Sequence, residues 1–148
     1  NAIIPVAMSR SIVKINSRDE AKKIQRWQKI AESAAKQSGR DEIPEIRSIQ
    51  TIEKISKLIN QYNCLIVAYE NEKDNSLKNE LVHLKEELKE NETLSIAVVI
   101  GPEGGLEEKD VELLKQNGAK IVTLGRRILR TETVALNILS IIRYELED

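Results

Sequence analysis

Apolar residues change their spacing several times along this chain, and each change predicts an element. Residues 3–6 and 11–15 are short apolar runs separated by AMSR, and both read as extended segments. The spacing then turns helical to about Ser38. Ala21, Ile24, Trp27, Ala31, Ala34 and Ala35 share one face, while Arg18, Lys22, Arg26, Lys29 and Lys36 lie largely off it. Ser17 or Asp19 is the expected N-cap of this helix, and Gly39 its stop. Pro44 opens a strand over residues 45–49. Thr51 then starts a helix with Ile52, Ile55, Leu58 and Ile59 apolar. Residues 64–69 are continuously apolar, the pattern of a strand covered on both faces.

The second half alternates in the same way. A polar loop, ENEKDN, precedes Leu77, Leu81, Leu84 and Leu88 at helical spacing, which predicts a helix packed on a sheet rather than a coiled coil. Residues 95–100 form a second buried strand. A helix over 106–116 is closed by Asn117-Gly118, and a third strand follows at 120–123. Residues 124–130 read as a loop. The last helix, 131–146, is apolar at Val134, Ala135, Ile138, Leu139, Ile141 and Ile142. Regular alternation of strand and helix predicts an α/β domain, a mostly parallel sheet with helices on both faces. Such sheets bind ligands outside the carboxyl ends of their strands.

Composition narrows this further. A chain of 148 residues fits one domain with a real core. Aromatics are 3% with no Phe, so Leu, Ile, Val and Ala must fill that core. A single cysteine, Cys64, sits in an apolar strand and excludes an intrachain disulfide or a multi-cysteine metal site. The lone His83 lies in a charged helical stretch, so no metal is expected. No apolar run reaches membrane-spanning length and no secretory signal is visible, which predicts a cytoplasmic chain without a membrane partner. Net charge is −1, but residues 1–63 carry 12 Lys/Arg against 7 Asp/Glu, and residues 64–148 carry 11 against 17. The basic half is compatible with nucleic acid, although most such asymmetries are solvated faces.

Two loops leave predicted strands with unusual chemistry. In GPEGG, Gly101 and Gly105 let a backbone approach a ligand, and Pro102 stiffens the turn. Glu103, Glu107, Glu108 and Asp110 suit a helix N-terminus but repel a phosphate, and neither glycine phosphate signature is present. The turn therefore suits a neutral or cationic ligand, or is a tight strand–helix connection with acidic capping. In LGRRILRTET, Arg126, Arg127 and Arg130 could pair RNA phosphates around an apolar Ile128-Leu129, with Thr131 or Thr133 as helix cap. The plainer reading of that stretch is a surface loop with a buried hydrophobic anchor.

Taken together, IGPEGGLEEKD and LGRRILRTETVALN resemble the SPOUT methyltransferases, specifically those that methylate N3 of a uridine in 16S (small-subunit) ribosomal RNA. IIPVAMSRSIVK and RWQKIAESAAKQSGRDEIPEI resemble the same family in the same order, so the likeness spans nearly the whole chain. The resemblance implies a C-terminal trefoil knot, S-adenosyl-L-methionine as methyl donor, a homodimer, and the 30S particle as partner. It implies that Ile100, Gly101, Glu103 and Gly105 form one wall of the cofactor site. Leu124, Gly125, Ile128, Leu129 and Arg130 would form the other. Uracil N3 is a weak acid, so methyl transfer to it calls for a cation that stabilises the anion, with Arg10 and Arg130 as candidates, and for a base, with Glu132 as candidate; Arg40, Arg126 and Arg127 are the candidates for the substrate side. Gln37 and Ser38 belong to the same substrate-side stretch, whereas Arg26 reads as helix-surface charge.

Family members begin with a small RNA-binding β-barrel, then a strand and helix with a Lys…Glu-Leu-Gly-Val-like motif. Here Asn1-Ala2 runs straight into IIPVA, so residues 1–148 read as the catalytic domain, cut inside it. The competing readings are a SPOUT enzyme with another RNA target, and a non-catalytic RNA-binding module. A doubly wound nucleotide-binding enzyme would need a glycine fingerprint at its first strand, and residues 3–11 carry none.

Overall fold

The computed structural model describes residues 1–8, 10, 16–87 and 93–146. The extended segment expected at 11–15 and the Leu88 position of the third helix lie outside them. Every strand pairing among the described residues is parallel. The first apolar run is broken into β1 (Ala2–Ile3) and β2 (Val6–Ala7). β1 pairs with β3 (Glu45–Ile46) and β2 with β4 (Gln50–Thr51). Ala2 lies opposite Glu45, whereas Val6 lies opposite Gln50, so the second segment holds one extra residue between the two ladders. Pro5 sits at this jog. It has no N–H to give a ladder, but its carbonyl accepts from Gln50 N at 2.9 Å. Of the single strand expected over 45–49 only Glu45–Ile46 forms, and the second ladder falls beyond it at Gln50–Thr51.

The second sheet carries the core. β5 (Cys64–Ala68) lies between β6 (Ile96–Val99) and β7 (Lys120–Val122). Alternate residues of β5 face opposite ways, as the pleat requires. Leu65 and Val67 join Ile52, Ile55 and Ile59 from α2 (Ile52–Leu58) and the 3-10 turn after it, with Val111 and Leu114 from α4 (Glu108–Gln116). Cys64 and Ile66 join Leu77, Leu81 and Leu84 of α3 (Leu77–Glu87) and Ile138 of α5 (Thr131–Leu146). Helices therefore cover both faces of a parallel sheet. Topology explains why: β5 to β6 runs one way across the sheet through α3, and β6 to β7 runs back through α4. Right-handed crossovers in opposite directions place their helices on opposite faces.

α1 (Ser17–Gln37) departs from expectation at its start and along its apolar face. Asn16, not Ser17 or Asp19, is the N-cap, its side-chain oxygen accepting from Asp19 N at 2.9 Å. Gly39 ends the helix in the left-handed conformation, as expected. Of the predicted apolar face only Ala35 is fully buried, while Ala21 and Ala34 are exposed. Trp27, Ala31 and Ala34 instead line an apolar groove of about 590 Å³ with Ile3, Pro5 and Ile46. In α5, Leu139 was expected inside but is exposed, whereas Ile138 is fully buried. Leu106 precedes α4 instead of opening it, and is buried. No described helix is long and apolar enough to cross a membrane.

Candidate active site

Because β5, β6 and β7 are parallel, the loops that follow them leave from one end of the sheet. The strand order puts the loop after β5 in the middle. Residues 100–107 lie on one side of it and residues 123–130 on the other. The two outer strands are two strand spacings apart, about 9.6 Å. The loops singled out by sequence thus flank a central loop whose composition, ENEKDN, is that of a plain polar connection.

The GPEGG turn is closed by a hydrogen bond from Gly105 N to Pro102 O, 2.8 Å, with Gly105 at φ +75°. Gly101 packs on the buried Leu106, where a Cβ would come within 3.0 Å of Cγ. At Gly105 a Cβ would collide with Oε1 of Glu70, which follows β5. On the other side of the turn, Nη1 of Arg10 donates to Gly104 O at 3.1 Å. An arginine and a glutamate therefore bracket the turn. The acidic helix start behind it is partly balanced. Lys109 pairs with Glu107 at 2.8 Å, and burial pushes the Asp110 carboxyl upward from its ordinary range.

The central loop is fastened tightly. Oε1 of Glu72 accepts from the N–H groups of Lys73, Asp74 and Asn75 at 2.9, 2.8 and 3.1 Å. Those bonds, Asp74 and Asn75 foremost, hold its carboxyl below the usual range. Asn75 donates to Glu80 and to Ile121 O, and its own carbonyl accepts from Thr123 N at 2.8 Å. The end of β7 is thereby tied to the centre of the site.

Thr123 also shapes the third loop, its hydroxyl oxygen accepting from Gly125 N at 3.2 Å. Gly125 stands at φ +109°, and a Cβ there would meet nothing within 4 Å. Arg126, Arg127 and Ile128 are exposed and Leu129 is half-buried. The first bonds of α5 run from Thr133 N and Val134 N to the carbonyl of Arg130, at 2.8 and 2.9 Å. Arg130 therefore holds the N-cap position, where Thr131 or Thr133 was expected, and Glu132 is exposed in the first turn.

Ile100 and Leu124, from opposite walls, pack against the same apolar cluster and give the site a common floor. Arg10 joins the GPEGG turn directly, and Glu103 is exposed on it. Arg40 has a different neighbourhood, on the apolar groove beside Trp27. Ser38 spends its hydroxyl on the carbonyls of Ala34 and Ala35. Sequence reading missed Glu70, Glu72, Asn75 and Thr123. Its own rule about carboxyl ends of strands pointed at the loop after β5 as much as at the other two. Cys64 lies at the amino end of β5, its thiol pushed up to about 11 by burial, and is no nucleophile there. Among the described residues no group of His, Cys, Asp or Glu is placed to hold a metal ion.

Residues 1–143 match the model of the RNA methyltransferase domain. The chain is 36% identical over 147 residues to ribosomal RNA small subunit methyltransferase E of Bacillus subtilis, covering 99% of this chain and 57% of that protein. The Aquifex aeolicus protein of the same name is 33% identical over 141 residues, 94% of this chain and 55% of its own length. Among solved structures, a ribosomal RNA small subunit methyltransferase E from Neisseria gonorrhoeae bound to S-adenosyl methionine superposes with TM-score 0.78 at 31% identity, covering 97% of this chain and 54% of that one. A putative methyltransferase from Legionella pneumophila in complex with the same cofactor gives 0.80 at 29%, over 97% and 55%. The chain spans about half the length of these relatives. With its parallel sheet, its two glycine turns and a match running from the first strand into the last helix, the chain belongs to the RNA methyltransferase domain family.

Proposed function

We propose that residues 1–148 act as the catalytic domain of an S-adenosyl-L-methionine-dependent methyltransferase that modifies N3 of a uridine in 16S ribosomal RNA. The observation that carries the reading is the placement of two glycine turns, at Gly101–Gly105 and Gly125, on either side of the β5 loop at the carboxyl ends of one parallel sheet, with Ile100 and Leu124 packed on the same apolar cluster. The residues present fit this donor. Open space beside Gly125 admits a ligand against the backbone. The floor of Ile100 and Leu124 suits an adenine ring. Carboxylates at Glu70 and Glu103 would repel a phosphate but tolerate a cationic sulfonium and ammonium.

Ile100, Gly101, Glu103 and Gly105 hold one side of the donor, and Leu124, Gly125, Ile128, Leu129 and Arg130 the other. Glu70, pressed against Gly105 between them, accepts hydrogen bonds from the donor's hydroxyls or ammonium. When bound, the donor supplies an activated methyl group. The chain's own work is to orient the uracil and remove its N3 proton. Arg10, tethered to the turn through one nitrogen, keeps further N–H groups for the developing uracil anion. Arg130 serves the same charge from the start of α5, and Glu132 takes the proton. Arg40, Arg126 and Arg127 pair RNA phosphates.

The 30S particle is the partner in this reading, and the cytoplasm the place of action. The segment from β7 through α5 is the knotted one. Leu136, Leu139 and Tyr144 of α5, all exposed together with Ile128, support a homodimer built on this helix. The test is transfer of label from methyl-tritiated donor to small-subunit particles lacking the modification. Label at N3 of uridine, lost at least a hundredfold in Arg10→Ala, is the expected result. Full transfer by Arg10→Ala removes the assigned role of Arg10. Label in a different RNA class, or RNA binding without transfer, selects one of the two competing readings.

A further inference from the structure

The exposed face of α1 carries Arg18, Lys22, Arg26, Lys29 and Lys36, and nothing in the site just described uses it. At 100° per residue these five fall, with Gln25 and Ser33, within a sector of roughly 100° on one side of the helix. No acidic side chain of α1 shares that sector. Asp19 and the half-buried Glu32 sit at its two margins, and Glu20 turns the other way to accept from Ile49 N at 2.9 Å. Among the described residues none of the five cations is in a salt bridge. Like charges three and four residues apart repel and weaken a helix. Here five cations face two marginal carboxylates over some 27 Å of helix, an excess of positive charge.

We propose that this face of α1 is a track for the RNA phosphate backbone, separate from the methyl-transfer site and resting on the reading of the chain as an RNA enzyme. From Arg18 to Lys29 successive cations lie about 5–6 Å apart, and Lys36 follows two turns on at about 10 Å, a spacing that serves a polyanion rather than one phosphate. Lys22, Arg26 and Lys29 rim a shallow concavity with Gln25, Ile30 and Ser33, so the charges surround a groove. No aromatic side chain lies in it, so contact is with phosphate and not with stacked bases. A membrane is the poorer partner. The opposite side of α1 meets the body of the protein, where Gln28 accepts from Ile46 N at 2.8 Å, and Ile30 is the one large apolar side chain in the concavity itself, too little to insert into a bilayer.

The test is fluorescence anisotropy of a labelled small-subunit RNA fragment against the chain and against Lys22→Gln/Arg26→Gln/Lys29→Gln, across a salt series. A control removes three cations elsewhere, Lys54→Gln/Lys57→Gln/Lys78→Gln. The α1 variant is expected to lose at least tenfold in affinity at low salt, with the slope of log affinity against log salt reduced by about 2. The control should keep the slope within about 0.5, and Lys22→Arg/Lys29→Arg should bind like the parent. S-adenosylhomocysteine binding, measured on every variant, should not change. An unchanged slope in the α1 variant, an equal loss in the control, or loss of binding only to phosphatidylserine vesicles overturns the track. Failure of the parent to bind S-adenosylhomocysteine, with the charge-dependent RNA binding intact, overturns the enzyme reading and leaves the track standing.

Discussion

Replacing Gly105 by alanine separates two things the GPEGG turn does. At φ +75° any side chain strains the backbone by about 1–2 kcal/mol. The new Cβ also meets Oε1 of Glu70, the far end of an exposed and flexible side chain, which swings away at little cost in stability. Gly105→Ala should therefore lose about 1–2 kcal/mol in urea unfolding, or roughly 2–8 °C in Tm for a domain of this size. Gly104→Ala is the internal control. It has no left-handed φ, and its Cβ would sit at an ordinary 3.5 Å from Arg10, so stability should hold within about 0.5 kcal/mol. Binding reads the displaced carboxylate. If Glu70 contacts the donor, Glu70→Ala and Gly105→Ala each weaken S-adenosylhomocysteine binding, and the double variant is no weaker than Gly105→Ala alone. Additive losses would refute the coupling. Equal stability of Gly105→Ala and Gly104→Ala would refute the strain argument.

Thr123→Val removes the acceptor for Gly125 N, and should cost about 0.5–1.5 kcal/mol while weakening S-adenosylhomocysteine binding in calorimetry. Leu114→Ala empties a fully buried position under the sheet and should cost about 2–5 kcal/mol in urea unfolding. Glu72 carries a lowered carboxyl, so its stabilisation is complete above the unfolded value near 4.5 and is lost as pH falls through the folded value. The Tm gap between the parent and Glu72→Gln should then be largest near neutrality and close in acid; a gap that widens in acid contradicts the assignment. Cys64, buried and with its thiol raised to about 11, should resist a thiol reagent at pH 8 in the native protein and react fully in urea.

Long periodic patterns were legible in the sequence because burial on one face leaves a repeat that residues report one by one. The run CLIVA declared a strand covered on both sides, and β5 sits between two helical layers. Leu77, Leu81 and Leu84 declared the helix on one of them. The loops after β6 and β7 stood out in the sequence for another reason, since glycines and arginines in apolar surroundings need an explanation. Pairing was not legible. The jog at Pro5 depends on a partner strand more than forty residues away, and no local pattern records it. The middle of the site was missed because Glu72 and Asn75 act through backbone bonds to neighbours and to β7, while ENEKDN has the composition of any solvated loop. Asn16 outcompeted Ser17 and Asp19 as cap through a single local hydrogen bond, a choice of one position that sequence preferences leave open. Along α1 only Ala35 of the predicted face is fully buried, because periodicity says only that a face is apolar and not what covers it.

The central claim is that the loops after β5, β6 and β7 together hold S-adenosyl-L-methionine. The most direct measurement is calorimetric titration of the folded chain with S-adenosylhomocysteine, with ATP and NAD as controls. The account predicts saturable binding of S-adenosylhomocysteine alone, one per chain, weakened by Glu70→Ala and by Thr123→Val. A folded chain that binds none of the three, or binds ATP or NAD equally well, contradicts it.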